Sequence, residues 1–164
     1  MDRIETLYFP YLKIKLITHK DLISKIFLSP IKKKSPLEPD IKSKAGELAQ
    51  EFFTHYFIKK EDPPPILPLN WNIVTPFQKK VFITLIKHTK FGQSITYQKL
   101  AQLIGLKNGQ RAIGRALNKN PWPIVIPCHR VIKKNNYIGG FSSGKQVKKI
   151  LLSHEQIYFL NKSI

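Results

Sequence analysis

Cys128 is the only cysteine among 164 residues, and it is followed directly by His129 and Arg130. A thiol beside an imidazole is a combination that supports nucleophilic chemistry. A free cysteine has a pKa of about 8.5 and is a thiolate only to a few per cent near neutral pH, so it needs a base or nearby cations. His129 can take up a proton in that range, and Arg130 can anchor the turn by hydrogen bonds. In extended chain, neighbouring side chains point to opposite faces, so Cys128 and His129 communicate only where the chain turns or a water bridges them. Glu155, 27 positions beyond the cysteine, could orient His129 and complete a Cys–His–acid arrangement. His154 competes with His129 for that acid. The plainer alternative is a buried, inert structural cysteine. One cysteine precludes an internal disulfide and any zinc site built from several cysteines, and no metal or cofactor is expected.

The charge around these residues is lopsided. The chain carries 28 Lys and Arg against 10 Asp and Glu, a formal net charge of +18. Residues 1–65 hold 12 basic and 9 acidic side chains, whereas residues 66–164 hold 16 basic side chains and the single acid Glu155. Such an excess points to a polyanionic partner, against the blander reading of a lysine-rich solvated surface. The division falls at Pro63-Pro64-Pro65, where three prolines forbid helix and withdraw backbone donors. The expected organisation is a small α/β domain over 1–62, a proline-rich linker over 63–72 and a second domain over 73–164.

The elements that must position the chemistry follow from local signals. Leu7–Pro10 and Leu12–Thr18 read as strands, Ile23–Leu28 as a strand or short helix, and Lys32-Lys33-Lys34 between Pro30, Pro36 and Pro39 as loop. Ala45, Leu48, Ala49, Phe52, Phe53, Tyr56 and Phe57 recur at helical spacing over 41–58. Thr75-Pro76-Phe77-Gln78 approaches a capping box for a helix that buries Phe77, Val81, Phe82, Leu85 and Ile86. Thr96 can cap a second helix that Gly105 ends. Asn108 can cap a third from about Gly109 to Leu117, carrying Arg111, Ala112, Gly114, Arg115 and Ala116. Helix, glycine-bearing turn, helix is the outline of a helix-turn-helix. Gly114 costs roughly 1 kcal/mol against alanine inside a helix, which makes sense if another backbone must approach there. Ile124-Val125-Ile126 reads as a buried strand ending at Pro127, and 133–144 as an irregular loop or wing. Ser143 and Gln146 make a second capping box for a helix from Lys145 to about Phe159, with Val147, Ile150, Leu151 and His154 inward. Tyr158-Phe159-Leu160 is expected to anchor the end against the core.

Several of these segments together carry a resemblance. Pro127-Cys128-His129-Arg130-Val131 resembles the active-site signature of the O6-alkylguanine-DNA alkyltransferases, the methylated-DNA–protein-cysteine methyltransferases. The similarity runs from about Thr75 to Glu155 and includes Thr75-x-Phe77-Gln78-x-x-Val81-Phe82, Thr96-Tyr97-x-x-Leu100-Ala101, Arg111-Ala112-Ile113-Gly114, Asn120-Pro121-x-Pro123 and Leu151-Leu152-x-His154-Glu155. The resemblance implies an abbreviated ribonuclease-H-like α/β domain followed by a mainly α, winged helix-turn-helix-like domain. It implies irreversible, stoichiometric transfer of the alkyl group of O6-alkylguanine to Cys128, and leaves transfer from O4-alkylthymine open. His129 would activate the thiol through a water, Glu155 would hold the histidine, and Asn120 would support the turn. Tyr97 would crowd the 3′ phosphate and Arg111 would fill the space left by the rotated base. Ala112, Gly114 and Arg115 would lie along the DNA. Pro127, Cys128, Val131, Phe141 and Ser142 would line the alkylguanine pocket. Phe141 stands where many relatives have tyrosine, Trp122 replaces a smaller apolar residue, and Lys90-Phe91-Gly92 lacks the usual proline.

The expected partner is double-stranded DNA, held mainly through the minor groove and phosphates by a monomer working in the cytoplasm. No membrane contact is expected, since no run approaches the 18 apolar residues of a span. The alternatives are a non-enzymatic alkylated-DNA recognition protein, whose relatives lack the cysteine, and a Cys–His acyl-transfer enzyme, which needs an oxyanion hole and a peptide groove.

Overall fold

Strict alternation along Leu12, Ile14, Leu16 and Thr18 puts four side chains on one face of a strand, and all four are buried. The computed structural model describes residues 1–32, 37–64 and 66–161. Within these the chain forms two compact units, Met1–Ile73 and Val74–Ile164. The expected loop at Lys33 and Lys34, with Pro36 beyond it, and the third proline of the Pro63-Pro64-Pro65 run lie outside the described residues.

The first unit opens with an antiparallel meander of β1 (Asp2–Phe9), β2 (Leu12–His19) and β3 (Leu22–Pro30). Register pairs Ile4 with Ile17 and Leu16 with Ile26, and it slips at Ile17/Thr18. The alternative of a short helix at Ile23–Leu28 is thereby replaced by strand. Helix α1 (Lys44–Thr54) packs on the sheet and runs into a wider turn at His55–Lys59. Its face closes on the strands through an aromatic cluster in which Phe9 stacks on Phe57 at 5.1 Å and Phe52 meets Phe53 edge-on at 5.2 Å. Ser43 caps α1 by accepting from the Gly46 N–H at 3.0 Å. The buried Glu5 carboxylate reinforces that end, accepting from Thr18 Oγ1 at 2.9 Å, the Lys42 N–H at 2.8 Å and the Ser43 hydroxyl. Negative charge at a helix N-terminus is favoured. A Cβ on Gly46 would fall 1.9 Å from Glu5 Oε2, so glycine is required there.

The expected linker belongs with this unit rather than between domains. The Ile23 N–H donates to Pro68 O at 2.7 Å and the Asn70 N–H to Ile23 O at 3.0 Å. The boundary therefore lies after Ile73.

The second unit contains α2 (Pro76–His88), β4 (Ile95–Thr96), α3 (Tyr97–Leu103), α4 (Gln110–Asn118), β5 (Val131–Ile132) and α5 (Lys145–His154). The capping box on α2 forms, with Thr75 and Gln78 each bonding the other's backbone N–H. Val81, Phe82 and Leu85 are buried, but Phe77 faces solvent. Thr96 caps α3, accepting from the Lys99 N–H at 3.1 Å. Strands β4 and β5 pair in parallel and tie the start of α3 to the chain just past Cys128.

Three local expectations fail for one kind of reason, a backbone placed where the side chain cannot cap or pair. Asn108 sits at φ +59 and does not cap α4, whose cap position is Gly109 without a side-chain bond. Ser143 and Gln146 form no capping box, because Gly144 at φ +94 redirects the chain directly before α5. Ile124–Ile126 is a tight turn with Ile124 at φ +74, closed by the Ile126 N–H on Trp122 O at 2.9 Å, and not a strand. Helix α5 also stops at His154, short of Phe159, and its buried face is Val147, Lys148, Leu151 and Leu152. Phe159 packs on Ile132, Ile138, Leu152 and Ile157, and Leu160 bridges Tyr137.

Candidate active site

The route to the cysteine begins where α4 ends. Asn120 is buried, and its amide ties together three points of the following turn. Its Oδ1 accepts from the Trp122 N–H at 2.9 Å, while Nδ2 donates to Ile126 O at 3.0 Å and to Cys128 Sγ at 3.1 Å. Trp122 is wholly buried and so supports the turn from within, without covering the surface. Beyond Pro127 the chain makes a single 3-10 turn, Cys128–Arg130. The chain therefore turns between Cys128 and His129 instead of running extended.

His129 and Arg130 then converge on one carboxylate. His129 Nε2 donates to Glu155 Oε1 at 2.5 Å. Arg130 Nε donates to Oε2 at 2.9 Å and Oε1 at 3.2 Å, and Nη1 donates to Thr89 O at 3.1 Å. The Gly92 N–H adds a further bond to Oε2 at 3.0 Å. Glu155 thus pairs with His129, while His154 packs edge-on against Phe91 at 5.7 Å.

Burial sets the ionisation of this cluster. For Glu155, burial opposes charge, but His129 and Arg130 outweigh it and hold the carboxyl down at about 2. For His129, burial outweighs the carboxylate and pushes the imidazole below its ordinary range, with Arg130 and Lys148 also opposing a charge. The resting histidine is therefore neutral, with its proton on Nε2. Cys128 is pushed up to about 11 by burial, despite the Asn120 hydrogen bond and the Lys148 charge that favour the thiolate. Desolvation thus outweighs the cations that favour a thiolate, and the resting sulfur is a thiol.

Cys128 lies in a cleft of about 870 Å³, also lined by Tyr97, Arg111, Gly114, Arg115, Phe141 and Ser142. Ala112, Pro127 and Val131 do not line it, and Val131 is fully buried. On α4, Arg111 and Arg115 are exposed on the cleft side, Ile113 and Ala116 face the core, and the buried Leu117 also lines the cleft. A Cβ on Gly114 would meet nothing within 4 Å, so the protein's own packing does not require glycine there. Gly139, by contrast, sits at φ +72 with its Cβ position 3.2 Å from the Tyr97 hydroxyl. Burial, and then the proximity of Cys128, pushes the Tyr97 phenol up.

Sequence reasoning missed Gln110, Asn118, Lys133 and Lys134 on the cleft wall. It also missed Lys148, buried beneath it and pushed down to about 8 by burial. The available signal was a lysine within the apolar face Val147, Leu151, Leu152. Among the described residues no group of three or more His, Cys, Asp or Glu side chains is placed to hold a metal ion. No helix of the described residues is long and apolar enough to cross a membrane.

Comparison with known proteins matches residues 76–157 to the family described as 6-O-methylguanine DNA methyltransferase, DNA binding domain. The methylated-DNA–protein-cysteine methyltransferase of Thermococcus sibiricus is 46% identical over 89 residues, covering 54% of this chain and 49% of that protein. The human protein of the same name is 47% identical over 79 residues, covering 48% and 38%. The chain spans about half the length, or less, of these curated relatives. The crystal structure of an O6-methylguanine-DNA methyltransferase from Pyrococcus kodakaraensis superposes over 96% of this chain and 100% of its own, at TM-score 0.73 and 26% identity. The Mycobacterium tuberculosis OGT in complex with DNA matches over 93% and 92%, at TM-score 0.73 and 25% identity. With half the chain matched by the family and both units aligned to its structures, the protein belongs to the 6-O-methylguanine DNA methyltransferases.

Proposed function

We propose that this protein repairs alkylated DNA by direct reversal, moving the alkyl group from O6 of guanine, and from O4 of thymine as a further substrate, onto Cys128. The carrying observation is a single buried thiol lining a cleft beside an arginine-bearing helix, with a neutral imidazole and a buried carboxylate joined behind it. The alkyl carbon forms a bond to Sγ as its bond to the base oxygen breaks. The electron pair stays on the base, which takes a proton, so the thiol proton is balanced by the one the base gains. Nε2 of His129 is engaged by Glu155, which makes Nδ1 the ring nitrogen that relays the thiol proton through a water. The thioether does not regenerate, so each molecule acts once.

In this reading the second unit is a winged helix-turn-helix-like domain, with α4 in the minor groove and residues 133–144 as the wing. The first unit is an abbreviated ribonuclease-H-like domain. Reaction within a duplex requires the base to leave the stack at a cost of a few kcal/mol. Arg111 fills the vacancy and Tyr97 presses on the 3′ phosphate. Phe141 and Ser142, with Cys128, form the base pocket. Gly114, on the cleft side of α4, suits a groove only about 6 Å wide, and Arg115 contacts phosphate. The protein acts as a monomer in the cytoplasm, where a free thiol stays reduced. A recognition protein without chemistry would have no use for the Cys128–His129–Glu155 assembly.

The test is incubation with an oligonucleotide carrying isotopically labelled O6-methylguanine. Label is expected on the Cys128 peptide at one equivalent per protein. Absence of label there, or repeated turnover, overturns the reading.

A further inference from the structure

Lys148 is the fourth residue of α5, and its side chain is 0% exposed. Two effects oppose an ammonium at that position: burial, and the positive end of the helix dipole. Its hydrogen bonds run from Nζ to Val131 O at 2.7 Å and to Gly140 O at 3.0 Å, both carbonyls. The one acid of its half of the chain, Glu155, is taken up by His129, Arg130 and Gly92. A buried lysine answered by no carboxylate among the described residues needs another reason to be there. Its two carbonyl partners supply one. Val131 follows the Cys128–Arg130 turn directly, and Gly140 precedes Phe141 and Ser142 on the opposite wall of the cleft.

We propose that Lys148 is a positioning residue for Cys128: its ammonium clamps the cysteine turn to the Phe141–Ser142 wall through Val131 and Gly140, and its charge stabilises the thiolate as it forms. This deepens the reading of Cys128 as the nucleophile and rests on it. The titratable groups that bear on the sulfur are Lys148 from α5 and Tyr97 from α3, while His129 contributes a backbone hydrogen bond. Of these, Lys148 carries the positive charge. The interaction works in both directions, with Cys128 favouring the ammonium of Lys148 and Lys133 opposing it.

The experiment follows Cys128 carbamidomethylation by iodoacetamide across pH, read by intact mass, in the unmodified protein and in K148M, K148Q and K148R. The thiolate displaces iodide without DNA, so the result is independent of whether alkylguanine is the substrate. K148Q keeps N–H donors without charge, and K148R keeps the charge. Below about pH 8, where Lys148 is an ammonium, alkylation is expected to be about tenfold slower in K148M and K148Q and to return towards the original rate in K148R. A purely structural role would leave K148Q at the original rate. Folding is checked by circular dichroism, and should K148M not fold, K148Q against K148R decides. An unchanged rate near neutrality in folded K148Q overturns the proposal. Label transfer from DNA that fails in every variant and in the unmodified protein overturns the repair reading instead.

Discussion

Glu155 does different things for its two side-chain neighbours. It orients the His129 ring through Nε2, and it answers the guanidinium of Arg130, while burial, with Arg130 adding to it, opposes a charge on the imidazole. Replacing it by glutamine leaves Arg130 buried without an anion, and breaking a buried pair in this way costs about 3–5 kcal/mol. E155Q is expected to show that loss as a lower urea midpoint together with slow transfer. A stability unchanged within about 1 kcal/mol would contradict the buried pair. Cys128→Ser keeps the turn and removes the nucleophile, so it should abolish transfer and leave DNA binding nearly intact at matched folding. Arg111 is exposed on the cleft side of α4. R111A should weaken base extrusion, seen as a smaller rise in fluorescence from a 2-aminopurine at the flipped position.

Helix α4 departs from what its own stability would favour. Gly114 lies at a helical interior position where a methyl group meets no neighbour within 4 Å, so alanine there gains helix propensity without a clash. Gly114→Ala should raise stability by about 1 kcal/mol and weaken DNA binding, because the methyl group projects into the cleft through which the duplex approaches. Calorimetry and a binding titration on the same variant separate the two effects. DNA affinity equal to that of the original protein would show that α4 does not approach a groove so closely. The helices differ in how readable their ends are. Thr75 and Thr96 cap by bonds three residues away, which short sequence patterns capture. Asn108 and Ser143 carry the right side chains on a backbone turned away by positive φ at Asn108 itself and at Gly144.

The whole chain combines strong positive charge with a cluster that needs its acid ionised. The Glu155 carboxyl titrates at about 2 in the folded protein against an ordinary 4.5. Its contribution is full above about 4.5 and is lost as pH falls towards 2, an effect of a few kcal/mol. His129 lies below its ordinary 6.5, so the unfolded chain takes up that proton first and stability also falls as pH drops through 6.5. The melting temperature should decline steadily from pH 7 to pH 3, with less decline between 7 and 5 in H129Q. A flat profile would mean that neither group is buried as described. The net charge of +18 makes DNA binding salt-dependent. The logarithm of the binding constant should fall linearly with that of salt, by about three decades from 50 to 200 mM if some six phosphates are contacted.

The linear sequence was sufficient for whatever depends on near neighbours or on identity: the caps at Thr75 and Thr96, the amphipathic faces of α1 and α2, the Pro-Cys-His-Arg-Val segment, and the imbalance that leaves Glu155 alone among cations. The pairing of His129 with that acid could be named as one of two options, since any histidine near it was a candidate. Folding chose between them by turning His154 onto Phe91. Tertiary structure alone decided that burial pushes the sulfur further towards the thiol, that Ile124–Ile126 is a turn, and that Lys148 is drawn inside while Lys133 and Lys134 stay at the cleft. The reason is that desolvation is summed over atoms brought from distant parts of the chain, so no window of residues contains it. A lysine reads the same in solvent or in the core until the fold has closed around it.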